Sequence, residues 1–254
     1  MDPLVALIGL AGGLTIGLAG TGAGSIVTPL LILRGIPSVA AVGTSLLAAA
    51  GAKFIGAGVH HRQGTVNHRL VRQLASGSIP AAVLGIYVIK RLGGLDGAGP
   101  FVSRALGVVL ILIAASLLLD AVLIRKRSGW LPSLRMPTDR PLVNAGIGAV
   151  VGFTLAVTSA GSGSLVIAAL LIAYPGTIPA ELVGTSVFHG AILQAVAGAG
   201  HIALGTVRAA TVLSLMVGYL PGIVLGSRLA HRAHPRVLRP VIVIAVIVTG
   251  VKLI

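Results

Sequence analysis

Lys53 stands alone in an apolar run, Ala49-Ala-Gly-Ala-Lys-Phe-Ile-Gly-Ala-Gly-Val-His60, and no other Lys or Arg falls inside a long apolar run of this chain. Charge within a bilayer is expensive and faces a cavity or a partner. A lysine there suits contact with an anion, unless its stem snorkels to headgroups about two turns away. Gln194, 141 residues further on, is the polar residue at the matching place. His189 shares a helical face with Thr185 and Ser186, at i−4 and i−3. An imidazole titrates near neutral pH, so His189 is a candidate for substrate contact or proton relay. A hydrogen-bonded structural histidine is the equal alternative.

Two clusters of glycines and hydroxyls break the apolar stretches Pro3–Leu33 and Pro141–Ala173: Gly17 to Ser25, and Thr158 to Ser164. As a straight helix each stretch would be roughly 45–50 Å long, against about 30 Å of hydrocarbon. Each must bend, break or turn back. Paired interruptions at matching places are a sequence pointer to a transporter's binding site. Irregular backbone survives in a bilayer only where protein or a water-filled cavity satisfies it. Ser25 and Ser164 stand where N-caps would open second half-helices, whose free N–H groups suit an anion. Gly22, Gly24 and Gly163 let a ligand approach the backbone, and Ser162 between glycines is a further candidate contact in the second break. Thr44, Ser45, Thr185 and Ser186 add hydroxyls in the first turns of the following helices. The competing explanation for each small residue is close helix packing.

Other chemistries fit poorly. The run Gly20-Thr-Gly-Ala-Gly24 lacks the Lys-Ser/Thr of a P-loop and follows no strand. Ser162 between glycines, with His189 or His201 elsewhere, raises an intramembrane serine hydrolase as a remote alternative, but the first break has Ala23 at the matching position. There is no cysteine, which excludes disulfides and thiol chemistry, and neither a metal site nor a cofactor is expected. His60 and His201 are expected at interfaces, Glu181 as a complement to a helix dipole, and Asp120 as a partner for Arg125–Arg127.

Positioning these residues requires membrane helices. The chain of 254 residues is 56% hydrophobic and 9% charged, with a mean hydropathy of +1.04, outside the range of soluble domains. Outside the broken stretches, six spanning helices are predicted: Pro37–His60, Leu70–Arg91, Phe101–Ile124, Pro179–Gly200, Val207–Leu229 and Leu238–Lys252. The polar linker 125–140 separates a first membrane repeat, 1–124, from a second, 141–254. Gly43-Thr44-Ser45 recurs as Gly184-Thr185-Ser186, His60 as His201, Gly64-Thr65-Val66 as Gly205-Thr206-Val207, Pro80 as Pro221 and Leu84-Gly85 as Leu225-Gly226, all 141 apart. The glycine breaks correspond at an offset of 139.

The net charge of +14 sits in loops, where cations meet lipid headgroups and set orientation. With aromatics at only 3%, nucleic acid is not an expected partner. If the broken segments cross the membrane, loop Lys and Arg divide 10 against 8; if they re-enter, 12 against 6. The positive-inside rule favours re-entry. The expected architecture is thus an all-α polytopic membrane protein with two inverted repeats, each of one broken or re-entrant segment plus three spanning helices, and with the linker cytoplasmic.

The Gly-rich break, then Gly-Ile-Pro-Ser-Val-Ala-Ala-Val-Gly-Thr-Ser-Leu (Gly35–Leu46) and His-His-Arg-Gln-Gly-Thr-Val-Asn (His60–Asn67), resembles the TauE/SafE sulfite exporter family, also called the toluene sulfonate uptake permeases. The resemblance spans essentially the whole chain, with a degenerate copy in the second half. It implies a multi-pass transporter of the bacterial cytoplasmic membrane that carries sulfite or an organosulfonate, with Gly20–Ser25 and Gly43-Thr44-Ser45 as matching positions. The expected partners are a small anion and membrane lipids, with a homo-oligomer left open. Uptake of organosulfonates or carboxylates is the alternative direction of transport.

Overall fold

The computed structural model describes residues 2–19, 23–127, 140–174, 179–230, 243 and 246–253. Ten helices are named: α1 (Pro3–Ala19), α2 (Gly24–Leu33), α3 (Ser38–Arg62), α4 (His68–Arg91), the single turn α5 (Gly94–Gly97), α6 (Gly99–Arg127), α7 (Pro141–Thr158), α8 (Ser164–Ala173), α9 (Pro179–Ala203) and α10 (Ala209–Ala230). Residues 246–253 are helical as well, and no strand occurs among the described residues. Helices α3, α4, α6, α7, α9 and α10 are long and apolar enough to cross a membrane. The chain is an all-helical, polytopic membrane protein.

These six are not quite the six predicted from sequence. Five coincide, whereas of Leu238–Lys252 only residues 243 and 246–252 are described, all helical. The sixth is α7, expected as one limb of a broken segment; its 18 residues reach spanning length by themselves. The polar linker also starts later than expected, because α6 continues through Arg127. The side chain of Asp120 and residues 128–139 lie outside what is described.

Both broken segments double back. At the base of the first, the Arg34 guanidinium meets the Asp2 carboxylate at 2.6 Å, and midway Gly12 backs onto Val27 and Ala23. At the base of the second, the Tyr174 hydroxyl donates to Asn144 Oδ1 at 2.7 Å. A straight helix would hold residues 30 positions apart about 45 Å from each other, so these bonds define two hairpins, α1–α2 and α7–α8.

The halves exchange partners. Helix α1 lies parallel to α10: the Asp2 N–H donates to Ser214 Oγ (3.1 Å), and deeper in, Gly13 rests on Tyr219 and Gly222. Helix α7 lies parallel to α4, from the Asn144–Gln73 amide pair (2.7 Å) to Gly85 against Ala156. Helices α3 and α9 run antiparallel, with Leu47 against Gly198 and Gly56 against Val187. Glycine lines these seams because backbones approach closely there. A Cβ on Gly77 would strike the Ala145 carbonyl, and one on the corresponding Gly218 would strike that of Ala6. The outward faces carry exposed apolar residues such as Leu7, Leu112, Val150 and Leu213, as lipid contact requires.

Candidate functional site

The repeated threonines of α3 and α9 have a structural task. The Asn67 N–H donates to Thr185 Oγ1 at 3.0 Å, and the Arg208 N–H donates to Thr44 Oγ1 at 3.1 Å. Each threonine satisfies a backbone donor ahead of the opposite half's next helix, so this reciprocal tie explains why both were repeated. Asn67 also caps α4 by accepting the Leu70 N–H and donates to Glu181 Oε1 at 2.9 Å. Glu181 thus bridges the halves as well as standing in the first turn of α9.

The hairpin tips meet at the centre. Gly24 is seated so tightly on the Ser159 backbone that a side chain there would strike its carbonyl oxygen. Ser159 ends α7 with φ 60°, the left-handed value that only it among described non-glycine residues adopts. Its hydroxyl joins that of Thr28, and that of Ser45 at 3.0 Å; Thr28 and Ser45 themselves lie 2.6 Å apart. Three buried hydroxyls thereby pin α2 and α3 to the second tip.

Beyond this pin lies Lys53. Its ammonium donates to Ser162 Oγ at 2.6 Å, and the Gln194 amide donates to the same oxygen at 3.1 Å. Gly190 makes room: a Cβ there would press on the Lys53 ammonium. Ser186 donates to the Ser162 carbonyl at 3.3 Å, holding the turn that leads through Gly163 into α8. His189 Nε2 lies 2.8 Å from Ser78 Oγ on α4. Its Nδ1 and one end of the Gln194 amide, both buried, have no hydrogen-bond partner.

Lys53 is 3% exposed, which eliminates snorkelling. It is also the only buried Lys, Arg, Asp or Glu among the described residues. An ammonium held only by neutral groups in a low-dielectric interior lacks counter-charge. What this arrangement can do is hold a small anion between α3, α9 and the first turn of α8, where helical geometry leaves N–H groups without intrahelical partners.

The sulfite exporter TauE/SafE family model matches residues 5–253. The chain belongs to this family. It is 35% identical over 255 residues to the probable membrane transporter protein YjnA of Bacillus subtilis (strain 168), covering 100% of both chains. It is 26% identical over 271 residues to the probable membrane transporter protein YunE of the same organism, covering 99% of this chain and 96% of the relative. No solved structure matches it.

In this TauE/SafE chain the predicted residues separate into groups. Lys53, Ser162, Gly163, Ser186, His189 and Gln194 gather around the lysine. Ser45 belongs to the hydroxyl pin, and Thr44 and Thr185 are the inter-half ties. Ser25 and Ser164 are not N-caps: Ala23 and Gly163 take those positions, and neither makes a side-chain cap bond. Both serines lie buried one or two residues further in, because the turns close on the tighter residues before them. Gly22 lies outside the described residues. His201 is not interfacial; it is fully buried, with Nδ1 2.8 Å from Thr206 Oγ1 and Nε2 2.9 Å from the Ala156 carbonyl. His60 makes the corresponding bond to Thr65 at 2.9 Å, half-buried. Ser78, Thr28 and Ser159 were missed by sequence reasoning. Their one signal was a hydroxyl in an otherwise apolar helix or break, shared with many packing residues.

Proposed function

We propose that this family member is a secondary transporter that exports sulfite, or a related small sulfur-containing anion, across the bacterial cytoplasmic membrane by alternating access. One observation carries the reading: the Lys53 ammonium is enclosed with Ser162 and Gln194 and has no carboxylate partner among the described residues. An anion supplies the missing charge, Ser162 and Gln194 turn toward it, and the α8 amides complete the shell. Lys53 comes from the first half and the other ligands from the second, so opening the boundary between halves exposes the site. The reciprocal packing of α1 on α10 and α7 on α4 supports an inverted pair of repeats that rock about it. Because the cell interior is negative, the potential already favours outward movement of an anion.

Flux in proteoliposomes, with pH and potential varied independently, tests this. Sulfite efflux should accelerate with an interior-negative potential and vanish in Lys53→Ala. Inward flux of an organosulfonate that outpaces sulfite efflux would favour the uptake alternative. Equal flux in Lys53→Ala would remove the lysine from the site.

A hydrolase is favoured by one contact, since Ser162 and Lys53 have the spacing of a serine–lysine dyad. Against it, Ser162 Oγ accepts from both Lys53 and Gln194, whereas an activated nucleophile must donate to its base. Covalent labelling of Ser162 by a serine-directed probe would support the hydrolase.

A further inference from the structure

We propose that the site selects anions by charge, taking singly charged oxyanions, so that sulfite binds as hydrogen sulfite and sulfate is rejected. The inference rests on the anion-site reading above and adds the charge state of the cargo.

Charge matching within the enclosure carries it. Lys53, Ser162, Gln194 and His189 are each at most 3% exposed, so water does not screen what binds among them. The formal charge there is one ammonium. From α9 the facing groups are His189, Gln194 and Gly190; from the second tip, Ser162; from α4, Ser78 through His189; and from α10, Met216 against Gly51. Only His189 among these is titratable besides Lys53, and its Nε2 is engaged with Ser78. The described carboxylates lie elsewhere: Asp2 pairs with Arg34, Glu181 with Asn67, and Asp96 sits in the α5 turn. A monoanion neutralises the lysine. A dianion leaves one full negative charge buried without a partner, which a low-dielectric site strongly disfavours. Dipoles at the α8 N-terminus supply at most about half a charge. Lysine offers three donors, of which Ser162 uses one, so an oxyanion finds two more on the same nitrogen.

The charge of the ligand can be varied without altering the protein. Thermal stabilisation of the purified full-length protein would be titrated with methanesulfonate, sulfate and sulfite across the pH range of sulfite's second ionisation. Methanesulfonate, singly charged throughout that range, is the reference at each pH, and sulfate should bind about a hundredfold more weakly or worse. Sulfite affinity relative to methanesulfonate should fall about tenfold per pH unit once the dianion predominates. Lys53→Gln should weaken methanesulfonate binding and compress its advantage over sulfate.

Sulfate binding as tightly as methanesulfonate, or sulfite affinity that is flat or rises with pH, would overturn the proposal while leaving an anion site intact. Parallel loss of methanesulfonate and sulfite with pH would overturn it too, by assigning the titration to the protein. Stabilisation by none of the three would instead remove the anion site itself.

Discussion

Gly24, at the end of the first break, meets Ser159 in the second, and it is the second break whose hydroxyls reach Lys53 and the hydroxyl pin. The second carries Ser159 and Ser162; the 139-residue correspondence sets Gly20 and Ala23 against them in the first. The helices behind the tips differ likewise: Lys53 answers to Gln194, His189 to Ala48, and Ser78 to Tyr219. What does repeat is structural. The threonine ties, the His–Thr pairs and the glycine seams recur almost contact for contact. The lesson is that duplicated residues in this chain mostly hold the fold, whereas the lysine cluster lies where duplication fails. On the proposed reading, one small ion on the boundary between halves needs one set of ligands.

The sharpest way to break the comparison is Lys53→Met. Anion affinity should fall about 10- to 100-fold or more, since hydrogen bonds to charged groups contribute about 1.5–3 kcal/mol each. The anion-free protein should melt no lower, because a buried unpaired charge has been removed; a marked loss of stability would instead make Lys53 structural. Next, Gly77→Ala and Gly218→Ala should each destabilise by about 1–3 kcal/mol through overpacking against a carbonyl. Gly58→Ala, where a Cβ meets nothing within 4 Å, should be neutral or stabilising. Unequal costs at Gly77 and Gly218, measured by thermal or denaturant unfolding, would show the seams to be less alike than their contacts.

Ser162→Ala should cost about tenfold in anion affinity, and Ala23→Ser should not restore it, because Lys53 bonds to Ser162 on the second tip. Recovery in the double variant would mean the first tip is competent after all. Tyr219→Phe should be neutral or stabilising by up to about 1 kcal/mol, since the buried hydroxyl has no partner. A loss of stability would show that this hydroxyl is satisfied in the membrane.

The smallest effect concerns the hairpin bases. The Arg34 hydrogen bond holds the Asp2 carboxyl below its ordinary range, with smaller help from the Leu4 and Val5 amides. A lowered folded value means the pair contributes stability above the unfolded carboxyl pKa of about 3.9, and loses it as pH falls through the folded value. Arg34→Gln should therefore lower the melting temperature slightly at neutral pH and not at all in acid. The Tyr174–Asn144 base of the other hairpin is neutral, so Tyr174→Phe should show the same deficit at both pH values.

Legibility followed the same division. The breaks, the five spanning helices and the halves could be read from apolar runs and fixed offsets, because burial in lipid demands long apolar segments whatever their neighbours. Lys53 and Gln194 stood out because charge and amides are rare in such runs. Thr44 and Thr185 tie the halves, a task the sequence does not separate from ligand contact, because repetition looks the same whether it serves a ligand or a packing tie. Ser25 and Ser164 were misread as caps because a cap depends on backbone angles, which hydroxyl placement alone does not determine.

From the chain alone came the helical membrane class, the two interruptions and an isolated intramembrane cation, since each is a property of composition and spacing. Only the tertiary structure decided that the interrupted segments fold back, that Lys53 faces Ser162 instead of headgroups, and that Ser159 joins the hydroxyls of Thr28 and Ser45. The hairpins close over 32 and 30 residues, whereas the placement of Lys53 and of the hydroxyl pin depends on contacts across 109 and 114 residues, which arise only when the halves pack together.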